Sequence, residues 1–323
     1  MREIRFHNPS IAVIEPVSDN SNTTVEFQKN IQKSIEQMDM QAQKHLFSGN
    51  KGKIKVKRFL GLSLGGGKTD KTSLACLEYY PQYNKIFLNQ LYSKIKSTED
   101  VSADQLVYEL IESMQRVEYI AVDSPLKLPK CMRCRLKCPG YEACQQPEIK
   151  WMWKHYKERN EKKRPSKLFT PYTERCAESY ISQKLEVEFH PPHALGSNMA
   201  PIMSRGMFLQ RRIKTEMIEV FPKLSIWRIG NSIKLSKSNL KLHKHSLEGE
   251  RVREMILEGL VGKDIAFIYE QDARTMIELS HSFDAFICAL TAVLKYKNLT
   301  EPRPRSFPKS ENWIEFPKEN LIW

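Results

Sequence analysis

Residues 56–64, with Phe59, Leu60, Leu62 and Leu64 behind Lys57-Arg58, read as a strand, and two more β-rich runs follow at short intervals. The loosely alternating stretch 72–80 comes after Gly65-Gly66-Gly67, and 85–92 comes after Pro81-Gln82-Tyr83-Asn84. Three such runs joined by turn residues predict an antiparallel meander. Residues 102–116 carry Leu106, Val107, Leu110, Ile111 and Met114 at helical spacing, and Tyr119-Ile120-Ala121-Val122-Asp123 then reads as a returning buried strand ending in an acid. Further on, the pattern predicts helices over 175–185 and 204–218, a strand over 217–222, a helix over 248–260, and a final helix over 279–297 that is apolar on most faces. Pro302, Pro304, Pro308 and Pro317 predict an extended tail, pinned by Trp313, Phe316 and Trp323.

Before the first strand the pattern is weaker. A helix is expected over 25–46, with Phe27, Ile31, Ile35 and Met38 on one stripe, and Gly49-Asn50-Lys51-Gly52 breaks the chain after it. The resulting division is an N-terminal extension over 1–52, an α/β core over 53–300 and a proline-rich tail over 301–323. The core is interrupted by an insertion over 124–175.

That insertion concentrates the charge and the sulfur. The net charge of the whole chain is +13, and between Lys127 and Arg175 fourteen Lys/Arg face five Glu and no Asp. Aromatic residues interleave this excess, including Trp151, Trp153, Tyr156 and Phe169. A basic surface with aromatic faces suits a phosphate backbone and its bases, so nucleic acid is the expected partner, a solvated basic face being the plainer alternative. Lys130, Arg133, Arg135, Lys137, Trp153, Lys154 and Arg159 are the candidate contacts.

Cys131, Cys134, Cys138 and Cys144 follow the spacing Cys-x2-Cys-x3-Cys-x5-Cys. Such a run lets four thiolates converge on a zinc ion or a [4Fe–4S] cluster, and the spacing does not choose between them. The metal would staple an insertion with little apolar content of its own. No window approaches the ~18 consecutive apolar residues of a membrane helix. With no apolar run behind Met1, the expectation is a cytoplasmic protein whose thiols stay reduced, without a membrane partner.

Gly61 to Thr69 resembles a phosphate-binding loop, but five residues rather than four separate Gly61 from Gly67. The β-rich stretch after Lys68 also offers no helix N-terminus to cradle phosphates. A tight reversal between strands is the better reading, and an actin-like or kinase-type ATPase stays as a minor alternative.

Three acids stand out by context: Asp123 at a strand end, Glu219 inside an apolar strand, and Asp284 in the first turn of the last helix with His281 one turn before it. Each has an ordinary explanation. Asp123 could cap a turn, Glu219 could pair with an arginine of the insertion, Asp284 could favour its helix N-terminus, and His281 could be a core histidine. Together they suggest a shared divalent cation, because ionised acids in apolar segments need compensation.

The order of elements, together with Gly61-Leu62-Ser63-Leu64, Ile120 to Leu126, Glu219-Val220-Phe221-Pro222 and His281-Ser282-Phe283-Asp284-Ala285, resembles a family of predicted nucleases of the domain-of-unknown-function 429 type. The resemblance covers about residues 56–297, and the His-x-x-Asp pair is also similar to RuvC-type junction resolvases. It implies a ribonuclease-H-like mixed sheet, three antiparallel strands then parallel ones, flanked by helices and carrying the Cys-rich insertion. It also implies a metal-dependent nuclease in which Asp123 and Asp284 bind Mg²⁺ or Mn²⁺, with Glu219 or His281 assisting. One departure is Ser63, which stands where such nucleases carry a first-strand aspartate; Asp70 is the nearby substitute. A catalytically silent nucleic-acid binder on the same fold is the alternative.

Overall fold

The computed structural model describes residues 55–66, 71–160, 169–187 and 189–323. The helix expected over 25–46, and with it the N-terminal extension, lies outside the described residues.

The three expected antiparallel strands form as β1 (Lys57–Ser63), β2 (Thr72–Tyr80) and β3 (Lys85–Ile95). Helix α1 (Ala103–Ser113) follows, its first turn closed by the Ser102 side chain accepting from Gln105 N–H at 3.2 Å. The chain returns as β4 (Val117–Val122), parallel to β1, and later adds β5 (Met217–Val220) parallel to β4. Two-residue strands β6 (Ala266–Phe267) and β7 (Ile314–Glu315) extend the edges, giving the order β6-β3-β2-β1-β4-β5-β7. This is a mixed α/β sheet, antiparallel and then parallel. Strand β2 runs antiparallel to β1 from Thr72, and among the described residues no helix stands between the two strands.

Apart from the single turns Lys130–Arg133 and Lys237–Leu240, the remaining helices among the described residues are α2 (Pro147–Asn160), α3 (Cys176–Lys184), α4 (Ala200–Arg212), α5 (Pro222–Ser232), α6 (Gly249–Gly262), α7 (Glu270–Glu278) and α8 (Ser280–Tyr296). Helix α4, expected over 204–218, is Ala200–Arg212 instead, α7 was not expected at all, and two further elements differ. The strand expected to run to Pro222 stops at Val220, because Pro222 opens α5, at the first-turn position where its missing N–H costs nothing. Helix α2 lies inside the insertion, and Ile149, Trp151 and Met152 bury its inner face in the core. The tail is likewise no appendage. Strand β7 pairs with β5, and Phe307 and Phe316 are buried.

Two apolar clusters cover the two faces of the sheet. Phe59, Ala121, Ile218 and Val220 share one with α8, whereas Leu60, Leu62, Val122 and Met217 share the other with α1 and α4. Helix α8 is buried from Ser282 through Leu294, which explains its nearly uniform apolar composition. Among the described residues no single helix is long and apolar enough to cross a membrane.

Candidate active site

Strand alternation decides which side chains meet. Ser63 follows Phe59 and Gly61 on the α8 face of β1, and Asp123 follows Ala121 on the same face just beyond β4. The parallel register places Leu62 opposite Val122, and Asp123 N–H donates to Leu62 C=O at 3.1 Å. Helix α8 then lies directly on β1. A Cβ at Gly61 would stand 1.9 Å from the Ala285 carbonyl oxygen and 2.3 Å from the Ala289 nitrogen, so only glycine permits this approach. The contact brings the start of α8, with His281 and Asp284, over the carboxyl ends of β1 and β4.

Ser63 Oγ donates to Asp123 Oδ2 at 2.6 Å, and Leu64 N–H donates to Asp123 Oδ1 at 3.0 Å. His281 Nδ1 lies 3.1 Å from Ser63 Oγ. Since the single Ser63 proton goes to the carboxylate, Nδ1–H donates to Oγ, which leaves Nε2 of the neutral ring as an acceptor. Burial lowers the His281 pKa, with Lys244 and Lys71 adding to that effect and Asp284 opposing it. Asp123 is pushed up to about 6, first by burial and then by the neighbouring Asp284 charge, against the pull of Ser63, Leu64 and Lys244.

Asp284 is 0% exposed, and no well-directed hydrogen bond reaches either of its carboxylate oxygens. Its charge partner is the Lys244 ammonium, 2.5 Å from Oδ2. Beside it, His243 is buried with both ring nitrogens lacking a partner, and its pKa is driven down to about 4, chiefly by burial. The two carboxylates supply hard oxygens of the kind Mg²⁺ or Mn²⁺ takes, but among the described residues they are not joined by a third His, Cys, Asp or Glu close enough to enclose an ion, and the Lys244 ammonium already faces Asp284. Mg²⁺ is commonly bound by one or two carboxylates and keeps several waters.

The structure does not bring Glu219 into this set. Glu219 is in register with Val122 and shares its face of the sheet, opposite to the face of Asp123. Its oxygens accept from Leu126 N–H at 2.8 Å, Asn312 Nδ2 at 3.0 Å and Arg175 Nη1 at 2.8 and 2.9 Å. Arg175 also donates Nε to Glu178 at 2.7 Å. Glu219 is thus the anchor of a buried ion-pair network, as the ordinary reading expected, although it and Asp123 border one small cleft of about 30 Å³. A cavity of about 720 Å³ runs beside the C-terminal tail and is lined by neither Asp123 nor Asp284. Asp70 lies outside the described residues.

The basic contacts divide. Arg135, Lys137 and Lys154 are exposed. Lys130 instead turns toward buried Glu148 at 3.5 Å, and Arg133 Nε donates to Leu128 C=O at 2.9 Å. Trp153 stacks on Tyr156 at 5.5 Å and contacts Tyr141 and Phe169, which ties the Cys loop to α2. Its ring is engaged within the protein. The side chain of Arg159 lies outside the described ones.

The four cysteines are free thiols, with Cys131 and Cys144 packed against the core and Cys138 exposed. Burial raises the Cys131 pKa, and Cys144, Cys138 and Cys134 add to it, so all four share one neighbourhood. They are not drawn to a single point: among the described residues, no three His, Cys, Asp or Glu side chains stand close enough to enclose a metal ion.

These features define a mixed α/β protein with paired acids at the carboxyl edge of its central strands, where open α/β sheets place ligand sites. The chain belongs to the family described as protein of unknown function (DUF429), which matches residues 94–306, a span that includes Asp123, Lys244, His281 and Asp284. No curated protein and no solved structure matches the chain.

Proposed function

We propose that the protein is a metal-dependent, nuclease-like phosphodiester hydrolase on a ribonuclease-H-like core. The observation that carries this is the convergence of Asp123 with a fully buried Asp284, whose charge partner is Lys244, over Gly61. The order β3-β2-β1-β4-β5, antiparallel and then parallel, agrees with the fold that the sequence resemblance implies. Asp123 and Asp284 would hold Mg²⁺ or Mn²⁺, and such an ion supplies Lewis-acid stabilisation for displacement at phosphorus. Ser63 holds Asp123 in place by hydrogen bonding. Nε2 of neutral His281 can take a proton from a water placed at the sheet edge. Arg135, Lys137 and Lys154 would grip the phosphate backbone. The cysteine loop would close around zinc or a [4Fe–4S] cluster, its ordering coupled to metal binding.

One observation favours a second reading. Ser63 contributes no charge at the end of β1, and Glu219 is held elsewhere, so the site has two acids where a three-acid site was expected. A non-catalytic nucleic-acid-binding protein would tolerate that loss. Incubation of single- and double-stranded DNA and RNA with Mn²⁺ separates the two readings. Cleavage abolished in Asp123→Ala supports the hydrolase. Salt-sensitive binding without cleavage, unchanged by that substitution, supports the binder.

A further inference from the structure

Lys244 sits in the polar turn between the short helical turn Lys237–Leu240 and α6. Its side chain is 54% exposed, yet Nζ points inward to lie 2.5 Å from Asp284 Oδ2. A lysine with an exposed stem ordinarily keeps its strongly hydrated ammonium in water. Here that ammonium faces a carboxylate with no other donor and no exposure, so it supplies the positive charge that Asp284 requires.

The backbone beneath Lys244 is fixed by buried contacts. Arg253, itself buried, donates Nη1 to the His243 carbonyl at 2.6 Å and Nε to the Ile277 carbonyl at 2.7 Å, joining the turn to the end of α7. Gly249 leaves room for this: a Cβ there would stand 2.9 Å from both Arg253 Nη1 and the His243 carbonyl oxygen. The turn is therefore held in register with the first turn of α8, one residue away from the buried, unpartnered His243 ring.

We propose that Lys244 is a built-in cation, its ammonium filling on Asp284 the position that a second divalent ion would otherwise take. The inference rests on the reading of Asp123 and Asp284 as cation-binding acids. It also accounts for the missing acid of β1. A site that carries one cation covalently needs fewer carboxylates to balance its charge, so Ser63 suffices where a third acid would serve a second metal ion.

The test is the number of Mn²⁺ ions bound per chain by the full-length protein, read by electron paramagnetic resonance of free Mn²⁺, together with circular dichroism to confirm folding. Lys244→Met should bind one more ion than the wild type, and Lys244→Arg the same number as the wild type. Should the methionine variant fail to fold, Lys244→Gln takes its place with the same expectation. Equal counts in wild type and Lys244→Met, or an extra ion in Lys244→Arg as well, overturn the proposal. A wild type that binds none beside a Lys244→Met that binds one upholds the lysine's role while refuting metal dependence of the native site.

Discussion

Asp123 bears a cost that its function would explain. Its carboxyl is pushed up to about 6 from an ordinary 3.8, so the folded chain holds that proton more tightly than the unfolded one. The contribution of such a group to stability is fully present below the ordinary value and is lost as pH rises through the folded one. By neutral pH the loss is on the order of 2–3 kcal/mol for a shift of this size, and the Lys244 charge already offsets part of it. Asp123→Asn should therefore melt at a higher temperature than the wild type at pH 7.5, with the gap closing near pH 4. Thermal melts across that range check it, and a variant less stable at pH 7.5 would refute the assignment. His281 was legible in the sequence as the i, i+3 partner of Asp284, but its contact is with Ser63, which only the packing of α8 on β1 reveals. Lys244 and His243 had no signal at all. They lie in an unpatterned polar stretch, and the packing of α6 and α7 alone brings them to Asp284.

At the scale of elements, Gly61 controls how closely α8 approaches β1. Gly61→Ala would drive a methyl group into the α8 backbone, and overpacking of this kind should cost about 3 kcal/mol or more, measured as the shift in urea midpoint. A shift under about 1 kcal/mol would mean that α8 can retreat cheaply. Glu219 offers the complementary case. Arg175→Leu removes the guanidinium that buried Glu219 and Glu178 share, which should destabilise by about 3–5 kcal/mol. Glu219→Gln should leave Mn²⁺ affinity unchanged, because its carboxylate faces away from Asp123; a tenfold loss of affinity would restore it as a ligand. The sequence located Glu219 in its strand but not on its face, because Met217 through Val220 are buried on both sides and alternation leaves no polar marker. Strands β1 to β4 were legible because glycine, proline and asparagine punctuate them. Helix α5 was not, because Phe221-Pro222 reads equally as the end of a strand or the start of a helix.

For the molecule as a whole, the insertion carries the positive field and the tail secures it to the sheet. Lys127 and Ser310 from the two segments are hydrogen-bonded, and Ser310 Oγ donates to Glu148 Oε1 at 2.5 Å. Replacing exposed Arg135, Lys137 and Lys154 together by alanine should flatten the dependence of log K on log salt by up to about 2.7 for duplex DNA, about 0.9 for each phosphate no longer neutralised. A slope unchanged in gel-shift titrations would place the nucleic-acid interface elsewhere. The fold gives the aromatic residues of the insertion packing roles that the sequence did not show. Trp151 and Trp153 resemble a stacking surface in sequence, but one is core and the other braces the cysteine loop. Calorimetric titration of Mn²⁺ into the wild type and into Asp284→Asn bears most directly on the paired-acid site. Saturable binding weakened at least tenfold in the variant is the result this site predicts, whereas superimposable isotherms, or no heat in either protein, would contradict it.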